Sequence, residues 1–264
     1  MATFTELLGG LNRTGDNSLS LTIPESWMQG RTTYGGLTSA ICYEAAKPLA
    51  GDKPLRSAQI AFVGPVGGDV TADARLLRMG KNTAFIGADL LSADGAVAAR
   101  GLFAFGLHRE SSISLAAMSQ MPDVAAPETL ESFFGGGPAP GFTVNFEMAL
   151  AFGSRPLSGA TTADLGLWLR HSDRKTVDDW TSILAIGDAP PPAAFAMFTT
   201  PIRISSMTWA IDILTDDPAT EDGWWFARHT AETVQDGYSS QAMTLWNRSG
   251  VPIMTGRQTI AVFG

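Results

Sequence analysis

The feature that most constrains the fold of this 264-residue chain is a sequence pattern that occurs twice. Residues 95–103 align without a gap with residues 250–258, and each stretch runs from a turn glycine into a strand-like segment. At the same offset, the turn-like segment 80–83 falls opposite 235–238. Identity between the copies is low, so similarity of pattern carries the comparison. Because a helix and a set of strands occur in both copies, the sequence predicts a duplicated α+β fold.

In the first half, a polar turn leads directly into an apolar helix of small residues. The helix is predicted over 36–48 and carries no charge before Glu44, so we expect it to be enclosed on most sides. Gly35 and Gly36 allow the backbone to approach another segment or a ligand closely, beside the free N–H groups of the first helical turn. The same glycines can also simply end a loop before a core helix, and the sequence leaves both interpretations open.

Apolar runs with strand-like alternation predict an antiparallel sheet in each half. After the first helix, four strands are predicted to form a meander, with a hairpin turn at Asp94-Gly95. The second helix is predicted over 178–186, with acidic residues at its N-terminus, where the helix dipole favours them. The predicted strands are 19–24, 56–63, 69–77, 83–91 and 96–106 in the first half, and 142–152, 164–171, 206–214, 224–232, 239–246 and 252–263 in the second.

A change in composition separates the two halves. Residues 111–141 are polar at first and then rich in Gly and Pro, as is typical of a connector. The sequence therefore predicts an N-terminal domain over 1–110 and a C-terminal domain over 142–264.

Composition and charge exclude several classes of function. A hydrophobic content of 45% and a net charge of −8 describe a globular chain without the basic surface that nucleic-acid binding requires. No apolar run reaches the ~20 residues that a membrane span needs, and the N-terminus does not resemble a signal peptide. The single cysteine, Cys42, fits a reducing compartment, so we expect a cytoplasmic protein. No histidines or cysteines have the spacing of metal ligands, so no metal is expected.

With these features the chain resembles the acyl-CoA thioesterase II-like family, which belongs to the double-hotdog thioesterases. The residues that carry the resemblance lie in 30–36, 78–83, 167–170, 178–179, 187–188, 224–225 and at Gln258. The resemblance implies a duplicated hotdog fold, in which each sheet wraps one long apolar helix. It also implies lipid metabolism by hydrolysis of a fatty or other acyl-CoA thioester through an activated water. Coenzyme A enters only as part of the substrate, and no separate cofactor is implied.

The family resemblance further implies that an Asp, a Thr and a Gln of the second half hold the water. Gln258 fits the glutamine, and the threonine falls at Thr230 or Thr233. Thr208 stands where the aspartate is expected. Asp212 lies four residues further on, and strand alternation predicts that it shares a sheet face with Thr208.

Other residues are candidates for binding the substrate. Asp188, just after the second helix, is a further carboxylate that could line the cleft. The family resemblance implies that Gly35 and Gly36 present backbone N–H groups to the thioester carbonyl, and Tyr34 beside them is a further candidate for binding the substrate. In addition, Arg78 and Lys81 lie at a predicted turn, where they would contact a phosphate of coenzyme A or form a solvated pair.

Two other functions stay open at this stage. A non-catalytic acyl-CoA or acyl-lipid binder would explain the threonine at the aspartate position. A hotdog hydratase is disfavoured because no Asp-x-x-x-x-His pattern is present. In either case a homodimer or higher homo-oligomer is expected, since hotdog sheets commonly pair side by side and cover their edges.

Overall fold

The computed structural model describes residues 2–15, 17–137 and 139–263. Pro138 of the predicted connector lies outside these ranges, as do Met1, Asp16 and Gly264 of the two predicted domains.

The described residues form three α-helices and fourteen strands, together with short 3-10 helices. The α-helices are α1 (Phe4–Gly9), α2 (Gly35–Ala46) and α3 (Trp180–Gly187). The first-half strands are β1 (Asn12–Arg13), β2 (Ser18–Thr22), β3 (Met28–Gln29), β4 (Thr32–Thr33), β5 (Leu55–Phe62), β6 (Asp69–Met79), β7 (Thr83–Ser92) and β8 (Val97–Gly106). The second-half strands are β9 (Phe146–Phe152), β10 (Asp164–His171), β11 (Arg203–Ile213), β12 (Trp225–Gln235), β13 (Tyr238–Asn247) and β14 (Pro252–Phe263). The 3-10 helices are Glu25–Trp27, Lys47–Ala50, Pro127–Thr129, Gly141–Asn145 and Ala193–Met197.

Both predicted core helices are present, with shifted ends. The α-helical part of α2 stops at Ala46 and continues as a 3-10 turn, because Pro48 has no N–H to donate to an α-helical hydrogen bond. The α3 helix begins at Trp180, and the side chain of Asp179 caps it by accepting a hydrogen bond from the N–H of Ser182. The predicted strand 142–152 begins only at β9, since the residues before it form a 3-10 turn.

Within the described ranges, twelve strands form one antiparallel sheet. The first half has the order β2-β6-β7-β8-β5, and the second half has the matching order β10-β12-β13-β14-β11. The predicted four-strand meander is therefore wrong at β5, which pairs with β8 and not with β6. On its other edge β5 pairs with β11 of the second half, so both of its edges are hydrogen-bonded in the middle of the joined sheet.

The duplication extends to individual positions. Gly95 and Gly250 both turn a hairpin with a positive φ, at 83° and 82°. Ile86 lies opposite Phe103 across β7 and β8, as Gln241 lies opposite Gln258 across β13 and β14. The gap-free repeat predicted from the sequence is thus reproduced in strand register.

The helices α2 and α3 pack against each other inside the sheet, and two polar contacts define their antiparallel orientation. Tyr34, which precedes α2, donates a hydrogen bond of 2.7 Å to the carbonyl of Ala185 near the end of α3. At the opposite ends, the hydroxyl of Thr181 donates a hydrogen bond of 2.5 Å to Glu44. The beginning of α2 therefore meets the end of α3.

The predicted connector lies against the outer face of the second-half sheet. Trp168 and Trp246 donate their indole N–H groups to backbone carbonyls of residues 125 and 119. Aromatic residues of this face form a small cluster of their own, separate from the main core. Its buried members are Ala149, Trp168, Trp224, Phe226 and Trp246.

None of the helices in the described ranges has the length and the apolar character that crossing a membrane would take.

Candidate active site

A carboxylate and an amide meet where the two halves of the chain join. The side-chain nitrogen of Gln258, on β14, donates a hydrogen bond of 2.5 Å to Oδ1 of Asp188. Asp188 follows directly on the last residue of α3 and remains partly accessible to solvent, whereas Gln258 is buried. The resulting pair brings together two residues that are 70 positions apart.

The first half contributes the beginning of α2 to the same place. A Cβ atom added at Gly35 would lie 2.6 Å from Oδ2 of Asp188, so a side chain at this position would displace the carboxylate. At Gly36, an added Cβ would lie 2.5 Å from the hydroxyl of Tyr34 and would overlap the carbonyl of Ala185. Both glycines therefore serve close approach of the two helices, which the sequence predicted as one of its two interpretations.

Burial strongly perturbs the acidity of this carboxylate. Desolvation by the surrounding protein raises the pKa of Asp188 from 3.8 to about 7, although the hydrogen bond from Gln258 and the backbone amide of Gly36 act in the opposite direction. Among the described residues, no Lys, Arg or His forms an ion pair with Asp188 within 4 Å. Glu44, at the other end of α2, contrasts with it because Arg13 and Lys47 both pair with that carboxylate.

Behind Gln258, two further polar side chains continue the hydrogen bonds into the core. Nε2 of Gln241, on β13, donates to Oε1 of Gln258 at 2.7 Å and lies 3.3 Å from Nδ1 of His229, on β12. The backbone N–H of Ala193 donates to Oε1 of Gln241 at 3.0 Å. All three side chains are buried, so the network is enclosed by the second-half sheet.

The structure places Thr208 and Asp212 on the outer face of β11. Both side chains are exposed, whereas Trp209 and Ile211, which alternate with them, face the core. Strand alternation indeed puts Thr208 and Asp212 on one face, as predicted, but that face is turned away from Gln258. Neither residue is brought to the site, because the side chains of a strand alternate between the two faces of the sheet.

Thr230 and Thr233 do not join Gln258 either. Thr230 donates a hydrogen bond of 2.8 Å to Asp164, which is also paired with Arg228. Its strand neighbour His229 faces the core, so Thr230 faces outward. Thr233 is exposed near the end of β12.

The remaining predicted binding residues divide into two groups. Tyr34 is buried at the site, and burial together with the nearby Asp188 raises its pKa. Arg78 and Lys81 are exposed at the hairpin between β6 and β7.

Sequence reasoning missed Gln241 and His229. A signal was present for Gln241, because it is a polar residue in the apolar stripe of β13 that faces the core together with Met243 and Leu245. Its pairing with Gln258 follows from the hairpin between β13 and β14, but an irregularity near Trp246 shifts the register and hides this in the sequence. His229 carries a weaker form of the same signal, because it alternates with Ala227 and Ala231 on the core-facing side of β12.

The network has no counterpart in the first half. The positions equivalent to Gln241 and Gln258 are Ile86 and Phe103, both fully buried. The duplicated chain therefore holds one polar site of this kind in its described residues.

This arrangement is suited to acid–base chemistry near neutral pH. A partly accessible carboxylate with a pKa of about 7 can accept a proton from a water molecule. The first N–H groups of α2, beside it, can stabilise negative charge that develops on a carbonyl oxygen. Within the described ranges, no three His, Cys, Asp or Glu side chains cluster as metal ligands would.

Two family models match the chain and together cover most of it. Residues 23–106 match the acyl-CoA thioesterase N-terminal domain, and residues 118–262 match the acyl-CoA thioesterase C-terminal domain. A comparison with curated protein sequences finds no significant match.

Solved structures with the same architecture come from several bacteria. A hotdog-fold protein of unknown function from Alicyclobacillus acidocaldarius is 19% identical, with a TM-score of 0.83 over 96% of both chains. The tesB protein of Mycobacterium avium subspecies paratuberculosis is 16% identical, with a TM-score of 0.81 over 99% of this chain and 100% of that one. A putative thioesterase II from Thermobifida fusca is 18% identical, with a TM-score of 0.80 over 96% and 95% of the two chains. The fold is the duplicated hotdog that the sequence predicted.

Proposed function

Because the chain belongs to the acyl-CoA thioesterase family, we propose that it hydrolyses an acyl-CoA thioester with Asp188 as the general base. The observation that carries this proposal is the hydrogen bond from Gln258 to Asp188 beside the N-terminus of α2. It supplies the carboxylate and the amide that a bound water needs, next to backbone donors for the thioester carbonyl.

In the proposed reaction, Asp188 accepts a proton from water as the water oxygen attacks the thioester carbonyl carbon. The carbonyl oxygen becomes negatively charged and is stabilised by those N–H groups of the first turn of α2 that do not bond Asp188; the N–H of Gly36 is engaged by that carboxylate. The intermediate then collapses, the carbon–sulfur bond breaks and the thiolate of coenzyme A leaves. The proton held by Asp188 returns to that thiolate, so that the base is regenerated.

The substrate is proposed to extend from this centre in two directions. The acyl chain would pack against the buried, small-residue surface of α2. The phosphates of coenzyme A would meet cationic side chains at the surface, and Arg78 and Lys81 are proposed for this contact because both are exposed.

The threonine at the expected aspartate position would also fit a non-catalytic binder. Asp188 provides a carboxylate from a different element, at the end of α3, and Gln258 is bonded to it. Hydrolysis is therefore the function that the geometry favours.

The test measures release of the free thiol of coenzyme A from acyl-CoA substrates of short, medium and long chain length. We expect turnover by the wild-type protein and a fall in kcat of about 10²- to 10⁴-fold in Asp188→Asn, as for loss of a general base. Asp212→Asn is the matched control, since it neutralises an exposed carboxylate on β11, and it should retain wild-type activity. No turnover of any chain length by the wild type would reject the function. Equal losses in both variants would reject Asp188 as the base.

A further inference from the structure

We propose that Gln241 and His229 are positioning residues that hold the amide of Gln258 with its nitrogen toward Asp188. This inference rests on the proposed function of the site. Neither residue touches the carboxylate, so each would act through Gln258.

The direction of the network is set by a group that can only donate. The backbone N–H of Ala193 donates to Oε1 of Gln241 at 3.0 Å, which fixes the orientation of that side-chain amide. Nε2 of Gln241 must then face Gln258, where it donates to Oε1 at 2.7 Å. Once its oxygen is engaged, Gln258 can present only its nitrogen to Asp188.

His229 completes the set of partners of Gln241. Its Nδ1 lies 3.3 Å from Nε2 of Gln241, and since that nitrogen donates, Nδ1 must accept and the ring must be neutral. Burial lowers the pKa of His229 to about 4 and is the one cause of that shift, so the ring stays neutral throughout the neutral pH range. A protonated Nδ1 would instead oppose the donor of Gln241 and free it to rotate.

The second copy of the fold shows that the sheet does not need these polar side chains. In the first half, the equivalents of His229, Gln241 and Gln258 are Ala74, Ile86 and Phe103. These apolar side chains are buried in the same strand register. Buried polar groups cost free energy unless they are hydrogen-bonded. The strand pairing of the second half therefore does not by itself require the three polar side chains, which bond one another and Asp188 instead.

The consequence for chemistry is an effect on the ionisation of Asp188. A donor directed at a carboxylate favours its charged form, and a reversed amide would direct an oxygen at it instead. The other groups that face this carboxylate are the amide of Gly36 and Tyr34, whose own pKa is raised. Tyr34 therefore does not ionise in the range where Asp188 titrates.

The experiment compares the pH profile of kcat for the wild type with that of Gln241→Glu and Gln241→Leu. The leucine variant removes the whole amide. The glutamate variant keeps the shape and, in its ionised form, replaces the donor with an acceptor. We expect the acid limb of both variants to move to higher pH by about one unit. Their kcat at neutral pH should fall up to about 100-fold, as for a misplaced catalytic group, while KM stays within about twofold.

Two sets of variants separate positioning from packing. His229→Asn keeps an acceptor near the position of Nδ1 and should retain the wild-type profile, whereas His229→Leu should show the same shift as the Gln241 variants. Ser239→Ala is the matched control, because Ser239 is buried on the same face of β13 and its hydroxyl has no hydrogen-bond partner among the described residues. Its pH profile should not change.

Titrating the Asp188 carboxyl directly tests the positioning role without relying on enzyme activity. Carboxyl 13C NMR, with the Asp188 resonance assigned from Asp188→Asn, gives the midpoint of Asp188 in each variant. A wild-type protein without hydrolase activity would overturn the proposed function, while a raised midpoint in Gln241→Leu would still support the positioning role. Unchanged midpoints and acid limbs in Gln241→Leu and His229→Leu would overturn it. If the Gln241 variants do not fold, as judged by circular dichroism, the His229 pair decides in the same way.

Discussion

Tyr34 donates a hydrogen bond of 2.7 Å to the carbonyl of Ala185, and this contact ties the beginning of α2 to the end of α3. The ring of Tyr34 also stacks on Phe142, with centroids 4.1 Å apart and an angle of 4° between the planes. As a result, the glycines of one half and Asp188 of the other lie against each other. The proposed site therefore depends on both copies of the duplicated fold and could not form in either alone.

Removing this hydroxyl should weaken the joint between the helices. Tyr34→Phe keeps the ring on Phe142 but leaves the buried carbonyl of Ala185 without its partner. We expect the free energy of unfolding to fall by about 1–3 kcal/mol, as for an unsatisfied buried acceptor. Urea denaturation measures the change. Tyr238→Phe is the control, because Tyr238 is 54% exposed and its loss of a hydroxyl should cost less than about 0.5 kcal/mol. Equal stabilities of the two variants would contradict the role of Tyr34.

The close approach of α3 at Gly36 predicts the sign of the change in the free energy of unfolding when Gly36 is replaced by alanine. Helix propensity alone says that Gly36→Ala should stabilise α2 by about 1 kcal/mol. The new Cβ, however, would meet the hydroxyl of Tyr34 and the carbonyl of Ala185, so we expect a net loss of about 1–3 kcal/mol from overpacking. Thermal or urea unfolding shows whether Gly36→Ala is more or less stable than wild type.

Gly64→Ala is the matched control for this change. A Cβ at Gly64 would have no neighbour within 4 Å, and its φ is not in the left-handed region. The substitution should leave the free energy of unfolding within about 0.5 kcal/mol. If Gly36→Ala were as stable as wild type, the beginning of α2 and the end of α3 would not be in close contact.

The sequence predicted the helices and strands themselves better than it predicted which strands pair in the sheet. Periodicity and turn residues located both core helices and most strands, because those signals are local. The position of β5 was not predicted correctly, since a strand that is adjacent in sequence is an obvious partner in a meander. Its real partners, β8 and β11, are chosen by closing the sheet between the two halves, and that choice depends on contacts distant in sequence.

In the site, too, the sequence predicted individual residues better than the contacts between them. Gln258 and Asp188 were both named as candidates, but the pairing between them spans 70 residues. Thr208 and Asp212 were named because strand alternation fixes which residues share a face. Alternation does not say which of the two faces is the inner one. Trp209 and Ile211 decide that in the folded chain, because they are the side chains that fill the core.

The proposed role of Asp188 gives the reaction a defined pH dependence. The base must be ionised to accept a proton from water, and the pKa of Asp188 is about 7. We therefore expect kcat/KM of the wild type to fall about tenfold for each pH unit below this value and to level off above it. Initial rates of thiol release, measured between pH 5 and 9 in steps of about one pH unit, test this. A profile that stays flat down to about pH 5 would fit a carboxylate with an ordinary pKa and would exclude Asp188 as the base.

The raised pKa of Asp188 should also make the free energy of unfolding depend on pH. In the folded protein the pKa of Asp188 is raised from 3.8 to about 7, so between these values the folded chain holds a proton that the unfolded chain has released. The contribution of Asp188 to the free energy of unfolding therefore falls as the pH rises through this window and is constant above it. Asp188→Asn lacks this loss, and we expect its stability relative to wild type to increase from about pH 4 to 7 by no more than about 4 kcal/mol.

Urea unfolding of the two proteins at several pH values measures that difference directly. The buried His171 and His229, each with a pKa lowered to about 4, have the opposite effect, because they resist protonation as the pH falls below their usual value. Both histidines are present in both proteins, so their contribution cancels in the comparison and the remainder belongs to Asp188. Asp212→Asn should run parallel to wild type, since its side chain is exposed on β11. If Asp188→Asn also ran parallel, the carboxylate would not be desolvated, and neither its raised pKa nor its assignment as the base would stand.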